Sequence, residues 1–317
     1  MQTRKLGRSG PDVSLVGLGT NNFGGRIDSA AARLVLDRAL DLGVTLIDTA
    51  DVYGNKGGSE EILGELLGPR RNNVVLATKF GLPMDDAGKL HGASRRYIMQ
   101  AAEASLRRLK TDWIDVYQLH RPDPETPIDE TLGALDDLKQ AGKIRFIGCS
   151  NLSAAQIEEA QGVAAREHSV SFVCCQDEYS LIDRGLEKTQ LAVMRKHGLG
   201  LLPYFPLASG LLTGKYRRDA PLPAGTRLAR SAHHAEDLLN ARNWRLVEAL
   251  SGFAAARGHT LLELAMSWLV SRPYVSSIIA GATRPEQVEQ NVAAVGWMLT
   301  PADLAEIDRI TALTLRN

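Results

Sequence analysis

Four ionisable side chains in this 317-residue chain stand where they could carry out proton chemistry. Asp48, Lys79 and His120 each end or directly follow an apolar run, and Tyr53 comes five residues after Asp48. A nearby ammonium favours the phenolate, so Lys79 is expected to lower the pKa of Tyr53 from its usual value of about 10. Since an unpaired buried lysine tends to lose its proton, Asp48 is expected to pair with Lys79 and hold it charged.

These groups fit one half of a carbonyl reduction. A tuned phenol such as Tyr53 can protonate a developing alkoxide, and the imidazole of His120 can orient the carbonyl oxygen. The other half, a hydride, has to come from a cofactor. Each residue also has an ordinary explanation, because Asp48 could cap a turn and the other three could be surface residues. All four at the ends of neighbouring apolar runs favour an enzyme.

The elements that position these residues alternate regularly. Strands are predicted at 14–20, 44–49, 73–79, 113–119, 144–150, 171–176, 199–205 and 275–280. Helices are predicted at 29–43, 58–67, 94–109, 129–141, 153–166, 187–197, 260–271 and 285–294. Eight strands that each precede a helix predict an α/β fold of the (β/α)8 TIM barrel type, in which the carboxyl ends of the strands carry the chemistry.

Several segments lie outside this repeat. Residues 3–13 are predicted to form a short hairpin, and residues 241–257 and 301–312 two extra helices. The segment 209–240 is rich in Gly, Pro and Arg, and a loop of this length is expected to be a lid or binding loop. No linker divides the chain, so residues 1–317 are expected to form one domain.

Three helix starts fit the capping-box pattern, in which a Ser or Thr is followed three residues later by Glu or Gln. The pairs are Ser153 with Gln156, Thr260 with Glu263, and Thr283 with Glu286. The last pair predicts a helix N-terminus just after strand eight. Such an end favours an anionic group such as a phosphate.

The composition narrows the classes of function. Lys+Arg and Asp+Glu both number 37, with no basic stripe, which argues against a nucleic-acid partner. No apolar run is long enough for a signal or a membrane span, so a cytoplasmic protein without a membrane partner is expected.

The three cysteines lie in apolar strands and are expected to be packing residues, with neither a disulfide nor a metal site: Cys149, Cys174 and Cys175. In the absence of a long apolar face a monomer is expected, while a homo-oligomer stays open.

The sequence resembles the aldo-keto reductase superfamily, in the style of its bacterial and potassium-channel β-subunit-like branches. The segments 47–54, 77–79 and 117–123, which contain the four ionisable residues, look like its signature segments. Further similarity in the same order lies at 4–7, 17–20, 148–151, 176–180, 206–211 and 281–287, so it spans almost the whole chain.

The resemblance implies a role for each matching position. Tyr53 would donate the proton, Lys79 and Asp48 would tune it, and His120 would orient the carbonyl. Ser150, Asn151 and Gln176 would bind the nicotinamide carboxamide, and Tyr204 would stack on the ring, with Phe205 as the competing choice. The remaining cofactor positions would be Gly19, Thr20, Asn21, Asp48, Pro206, Leu207, Ala208, Ser209, Gly210, Leu211, Lys215, Gly281, Ala282, Thr283, Arg284, Gln287, Gln290 and Asn291.

The cofactor is expected to be NADPH/NADP+ rather than NADH, because Arg284 beside a helix N-terminus suits a 2′-phosphate. Two positions depart from the family pattern. Asp177 stands where Asn is more usual, and Ala280 stands where Pro often precedes Gly281.

The substrate is expected to be a small carbonyl compound bound by Phe23, Tyr53, His120 and Arg121. The few residues after 312 leave little chain to cover the pocket, which favours a broad range of aldehydes, dicarbonyls or sugars. Two other functions stay open. One is a cofactor-sensing subunit with little turnover, and the other is a metal-dependent hydrolase built on Asp48 and His120, which would lack a second His ligand.

Overall fold

The computed structural model describes residues 1–313 and contains eight parallel strands in a nearly closed barrel. A hairpin of β1 (Thr3–Lys5) and β2 (Asp12–Ser14) precedes it. The barrel strands are β3 (Val16–Gly19), β4 (Leu46–Asp48), β5 (Val75–Phe80), β6 (Ile114–Leu119), β7 (Ile144–Ser150), β8 (Phe172–Glu178), β9 (Gly200–Tyr204) and β10 (Ile278–Gly281). From β3 to β9 each strand pairs with the next one in the chain, and β10 pairs with β3. Between β9 and β10, where the barrel would close, the structure has an isolated bridge from Leu201 to Val275. The predicted (β/α)8 TIM barrel and its N-terminal hairpin are confirmed.

Helices surround the barrel. They are α1 (Ser29–Asp41), α2 (Tyr53–Leu67), α3 (Arg95–Leu109), α4 (Ile128–Gln140), α5 (Ala154–Glu167), α6 (Leu191–His197), α7 (Ala232–Leu238), α8 (Ala241–Ala255), α9 (Leu261–Ser271), α10 (Pro285–Ala293) and α11 (Pro301–Leu313). The two extra helices are α8 and α11, as expected, and α7 is a short helix inside the segment predicted as a loop. Residues 314–317, on which the expectation of a broad substrate range partly rested, lie outside the described part. No helix in residues 1–313 is long and apolar enough to cross a membrane.

The period of two along each strand decides which side chains enter the barrel. The lumen is filled by Leu46, Ala77, Val116, Cys174, Leu202 and Ile279. Two residues further toward the carboxyl ends stand Asp48, Lys79, Gln118, Gln176, Tyr204 and Gly281. The apolar layer therefore supports a polar layer at the rim where the functional residues were expected.

Two of the three predicted capping boxes are present. The Ser153 and Thr260 hydroxyls accept the backbone N–H groups of Gln156 and Glu263. In return, the side chains of Gln156 and Glu263 accept the backbone N–H groups of Ser153 and Thr260. The prediction for Thr283 is wrong, because Arg284 is the residue that caps α10, without a side-chain bond. The proline after Arg284 favours extended backbone there, which makes Arg284 rather than Thr283 the capping residue, while the helix begins at the predicted residue 285. Gln287, now at the third helical position, accepts from the Thr283 N–H at 2.8 Å.

Candidate active site

A buried ion pair lies at the centre of the rim. The Lys79 ammonium donates to Oδ2 of Asp48 at 2.8 Å and to the Thr49 carbonyl at 2.8 Å. The amides of Gln176 and Gln118 donate to the other oxygen of Asp48, at 2.8 and 3.3 Å. Burial lowers the pKa of Lys79, but Asp48 and Tyr53, through their charges and their hydrogen bonds, together outweigh it and the net pKa is raised. Lys79 is therefore a fixed positive charge.

Tyr53 begins α2 and lies against this pair, with the Lys79 nitrogen 5.0 Å from the centre of the phenol ring. Burial raises the pKa of Tyr53, and this outweighs the lowering by the Lys79 charge. The expectation of a lowered net pKa is therefore wrong, although Lys79 acts in the expected direction. The consequence is that Tyr53 keeps its proton at neutral pH.

The turn after Tyr53 fixes its position. Gly54 has φ +68°, and a Cβ there would lie 2.5 Å from the carbonyl oxygen of Phe23 and from the nitrogen of Ser59. Phe23 itself is 0% exposed and packs in the core between barrel and helices. The prediction that Phe23 contacts the substrate is therefore wrong, because its ring packs in the core. Its backbone instead lies against the turn that carries Tyr53.

His120 follows β6 and lies beside Tyr53, with their rings edge to face and their centres 5.8 Å apart. Burial, assisted by the positive charges of Lys79 and Arg121, lowers the pKa of His120 to about 3. The imidazole is therefore neutral at physiological pH. A neutral ring beside a protonated phenol can present two hydrogen-bond donors to one carbonyl oxygen.

Tyr53 and His120 open into a cavity of about 830 Å³ that runs across the rim. Of the predicted site residues, it is lined by Gly19, Asn21, Asp48, Tyr53, His120, Arg121, Ser150, Asn151, Gln176, Tyr204, Phe205, Pro206, Leu207, Ser209, Gly210, Lys215, Gly281, Ala282, Thr283, Arg284, Gln287, Gln290 and Asn291. Five others do not line it: Thr20, Phe23, Lys79, Ala208 and Leu211, all buried behind its wall. Thr20 bonds to the Asp48 carbonyl instead, at 3.0 Å.

Polar side chains linked by hydrogen bonds form one wall of the cavity. Asn151 donates to the His120 carbonyl at 3.1 Å and accepts from the Tyr204 hydroxyl at 2.7 Å. The Ser150 hydroxyl donates to the Gln176 carbonyl at 2.7 Å, which ties β7 to β8. Tyr204 stands two residues after a lumen residue and faces inward, which favours it over Phe205 as a stacking surface. A planar amide-bearing ring suits such a wall.

The other end of the cavity is positively charged. Arg284 and Lys215 line it, while Asp48, already paired, is the one carboxylate among the described lining residues. Exposed backbone at the start of α10 adds a favourable dipole. This end therefore fits an anionic ligand.

The segment 209–240 supplies lining residues that the sequence did not single out. Arg227 lies over the Phe205 ring at 4.6 Å, and burial followed by repulsion from Arg26 lowers the pKa of Arg227. Arg26 in turn donates to the Gly225 carbonyl at 2.5 Å, which joins this segment to the loop after β3. The arginine-rich composition of the segment was the available signal, but it did not distinguish Arg227 from Arg230, which is exposed and outside the lining.

A metal-dependent hydrolase finds no support in the described residues. Across residues 1–313, no group of three or more His, Cys, Asp or Glu side chains could hold a metal ion.

Comparison with known proteins agrees with this geometry. A model of the aldo/keto reductase family matches residues 15–312. A probable voltage-gated potassium channel subunit beta of Arabidopsis thaliana is 39% identical over 98% of this chain and 96% of its own length. The L-glyceraldehyde 3-phosphate reductase of Escherichia coli K12 is 33% identical over 98% and 92%, and the uncharacterized oxidoreductase YrpG of Bacillus subtilis is 36% identical over 93% and 91%. The chain therefore belongs to the aldo/keto reductase family of NAD(P)H-dependent oxidoreductases.

Proposed function

We propose that this protein uses NADPH to reduce aldehyde or ketone carbonyls to alcohols. The observation that carries the proposal is the meeting of Tyr53 and His120 in one cavity, with the Lys79–Asp48 pair directly behind the phenol. A donor phenol, a neutral imidazole and a fixed positive charge are the groups that a developing alkoxide requires.

The proton chemistry follows from the charges of these groups. His120 stays neutral and donates an N–H to the carbonyl oxygen, which orients the substrate and polarises its C=O bond. Tyr53 gives up its proton as negative charge grows on that oxygen, because an alkoxide is far more basic than a phenolate. The phenolate that remains is stabilised by Lys79, whose own charge Asp48 maintains. When bound, the cofactor supplies the hydride.

The cofactor residues are proposed from the shape and charge of the cavity. Ser150, Asn151 and Gln176 would hold the carboxamide, and Tyr204 would stack on the nicotinamide ring. Lys215 and Arg227, which line the cavity, would bind the pyrophosphate, and Arg284 at the start of α10 would bind a 2′-phosphate. An anion fits here because these cations have no carboxylate partner among the described residues.

A second candidate is a cofactor-sensing subunit that turns over slowly and acts through a protein partner. The similarity to a probable potassium channel subunit beta over nearly the whole chain favours it. Both functions use the same NADP(H) cavity, so they differ in turnover rather than in cofactor binding.

Cofactor titration followed by a substrate screen separates the two functions. NADPH binding to the purified protein is measured by fluorescence, and oxidation of NADPH is then followed with a panel of short aldehydes, dicarbonyls and aldoses. The panel includes L-glyceraldehyde 3-phosphate, the compound in the name of the Escherichia coli relative. Turnover on any member at or above about 1 s⁻¹ supports the reductase. Tight NADPH binding without turnover on the panel supports the sensor, and no binding of either nicotinamide cofactor contradicts both.

A further inference from the structure

Asp177 places a carboxylate directly behind the wall of the cavity. The residue lies near the end of β8, is 5% exposed, and does not line the cavity itself. One of its oxygens accepts the backbone N–H of Asn151 at 2.9 Å. One hydrogen bond thus separates this carboxylate from a residue that does line the cavity.

Asn151 combines this bond with an unusual backbone conformation. It has φ +63°, a left-handed conformation that is uncommon for residues other than glycine. From that conformation its side chain reaches the His120 carbonyl and the Tyr204 hydroxyl. Asp177 is therefore a positioning residue for the polar wall, and an uncharged acceptor such as Asn would serve that purpose equally well.

The charge of Asp177 is not neutralised by direct pairing, although Arg121 acts with opposite sign on the same wall residue, Tyr204. No Lys, Arg or His within the described residues forms an ion pair with it, and its pKa is raised to about 6 by burial. At neutral pH it is still mostly ionised. Its field reaches the cavity wall, because burial, then the charges of Glu178 and Asp177, raise the pKa of Tyr204 to about 12. The site thus contains a negative charge that its geometry does not require.

We propose that the Asp177 carboxylate makes this cavity select the oxidised cofactor, binding NADP+ more tightly relative to NADPH than the same cavity with a neutral amide would. The proposal rests on the proposed function, specifically on the nicotinamide binding against Ser150, Asn151 and Gln176.

The physical reason is the charge difference between the two cofactor forms. The oxidised nicotinamide ring carries a positive charge that the reduced ring lacks, while their phosphates are identical. A buried anion behind the ring wall stabilises the oxidised form alone, and it does so strongly where water is excluded. Because stabilising the oxidised form makes bound NADPH a stronger reductant, hydride transfer to a carbonyl becomes more favourable, while NADP+ leaves more slowly.

Asp177→Asn tests the charge without removing the acceptor for Asn151. The dissociation constants of NADPH and NADP+ are measured at pH 7.5 for the wild-type protein and the variant. The ratio of the NADPH constant to the NADP+ constant is expected to fall by about five- to tenfold in the variant. A purely structural role would change both constants together and leave the ratio unchanged. A ratio within twofold of the wild-type value overturns the proposal.

Two further variants control for position. Asp123→Asn removes a carboxylate that also accepts a backbone N–H, from Ala93 at 2.7 Å, but outside this cavity, and should leave the ratio unchanged. Glu178→Gln removes the adjacent charge, which raises the pKa of Tyr204 more than Asp177 does but which water partly reaches. Because that water screens its charge, the variant should shift the ratio less than Asp177→Asn does. A larger shift from Glu178→Gln would assign the selection to Glu178 and contradict the role of Asp177.

A second measurement covers the case in which Asp177→Asn does not fold. In the wild-type protein, lowering the pH from 7.5 to 5.0 protonates Asp177, so the same ratio should fall, while the 2′-phosphate, present in both cofactors, cancels. The ionisable groups around Asp177 are Glu178, Tyr204 and the thiols of Cys149, Cys174 and Cys175, and Arg121 is the cation that acts on the same wall. The phenol and the thiols stay protonated in this range, but burial and the charge of Asp183 raise the pKa of Glu178 as well. The pH series is therefore repeated with Glu178→Gln, in which the ratio should still fall. A ratio independent of pH overturns the proposal. If neither cofactor binds the wild-type protein, the proposed function fails instead.

Discussion

The Lys79 ammonium lies 2.8 Å from the Asp48 carboxylate, and the two side chains are only 0% and 2% exposed. Removing one partner of such a buried pair leaves the other charge buried and unpaired, which typically lowers the free energy of unfolding by about 3–5 kcal/mol. Asp48→Asn is therefore expected to lower the free energy of unfolding by about that amount. Lys79→Met should cost less, because the amides of Gln118 and Gln176 still donate to Asp48.

Urea denaturation of the two single variants and the double variant checks this coupling. The double variant should lose clearly less than the sum of the single losses, since it leaves no unpaired charge. Additive losses would mean that the pair contributes little as a pair.

Tyr53→Phe removes the proposed proton donor and keeps the aromatic ring. Reduction is expected to fall by about 10²–10⁴-fold. NADPH binding should stay within a few-fold, because the phenol oxygen is not among the proposed cofactor contacts. Steady-state rates and fluorescence titration provide the two measurements. Tyr97→Phe, on α3 and outside the cavity, is the matched control and should retain activity. Near wild-type turnover in Tyr53→Phe would exclude Tyr53 as the acid.

The position of Asp48 and Lys79 could be predicted because strands of a parallel barrel all end on one rim, and a period of two decides which residues face inward. The orientation of Phe23 could not, since a turn has no such period and its ring direction depends on packing against distant helices. The direction of the net pKa shift of Tyr53 could not be predicted either, because it depends on how deeply the phenol is buried, and no local sequence pattern encodes that depth.

The cofactor end illustrates the same limit. Arg284 was identified because it is next to a helix start that the sequence marks, although the cap itself lies one residue later than predicted. Arg227 lines the cavity because a long irregular segment folds back over the rim, and the hydrogen bond from Arg26 to the Gly225 carbonyl holds that segment in place. Propensity and periodicity describe regular elements, and this segment has few of them.

His120 is expected to remain neutral across the physiological range. Burial and the charges of Lys79 and Arg121 lower its pKa to about 3, whereas a free histidine titrates near 6.5. Its ring-proton NMR signal, assigned by comparison with His120→Gln, should therefore not shift between pH 5 and 8. A titration step near pH 6.5 for this signal would mean that the imidazolium forms and that a neutral donor is the wrong description.

Asp51→Asn is expected to stabilise the protein at neutral and alkaline pH. Asp51 is 1% exposed, and burial, then repulsion from Glu60, raises its pKa to about 8. A carboxyl whose pKa is raised by folding contributes stability below its unfolded pKa of about 3.9 and loses it as the pH rises toward 8. Between pH 4 and 8 the wild-type protein should therefore lose on the order of 2–5 kcal/mol relative to Asp51→Asn.

Chemical denaturation of both proteins at pH 4, 6 and 8 checks the sign and the window. The gap between them should be smallest at pH 4 and grow toward pH 8. Asp115→Asn is a contrasting variant, since Asp115 is equally buried but bonded to Arg71 and Arg145, and its loss should destabilise at pH 8. A constant gap between wild type and Asp51→Asn would mean that Asp51 titrates at its ordinary pKa.

Arg284→Gln tests the preference for NADPH over NADH. The guanidinium stands exposed at the start of α10 and lines the cavity, so its contact with a 2′-phosphate would be charge-assisted but partly screened. The dissociation constant of NADPH is expected to rise about tenfold, while that of NADH, which has no 2′-phosphate, should change less than about twofold. Raising the salt concentration should shrink the NADPH effect. Arg166→Gln, on the exposed face of α5, is the charge-matched control and should alter neither constant. Equal weakening of both cofactors by Arg284→Gln would place the 2′-phosphate elsewhere in the cavity, with Lys215 as the next cation to test.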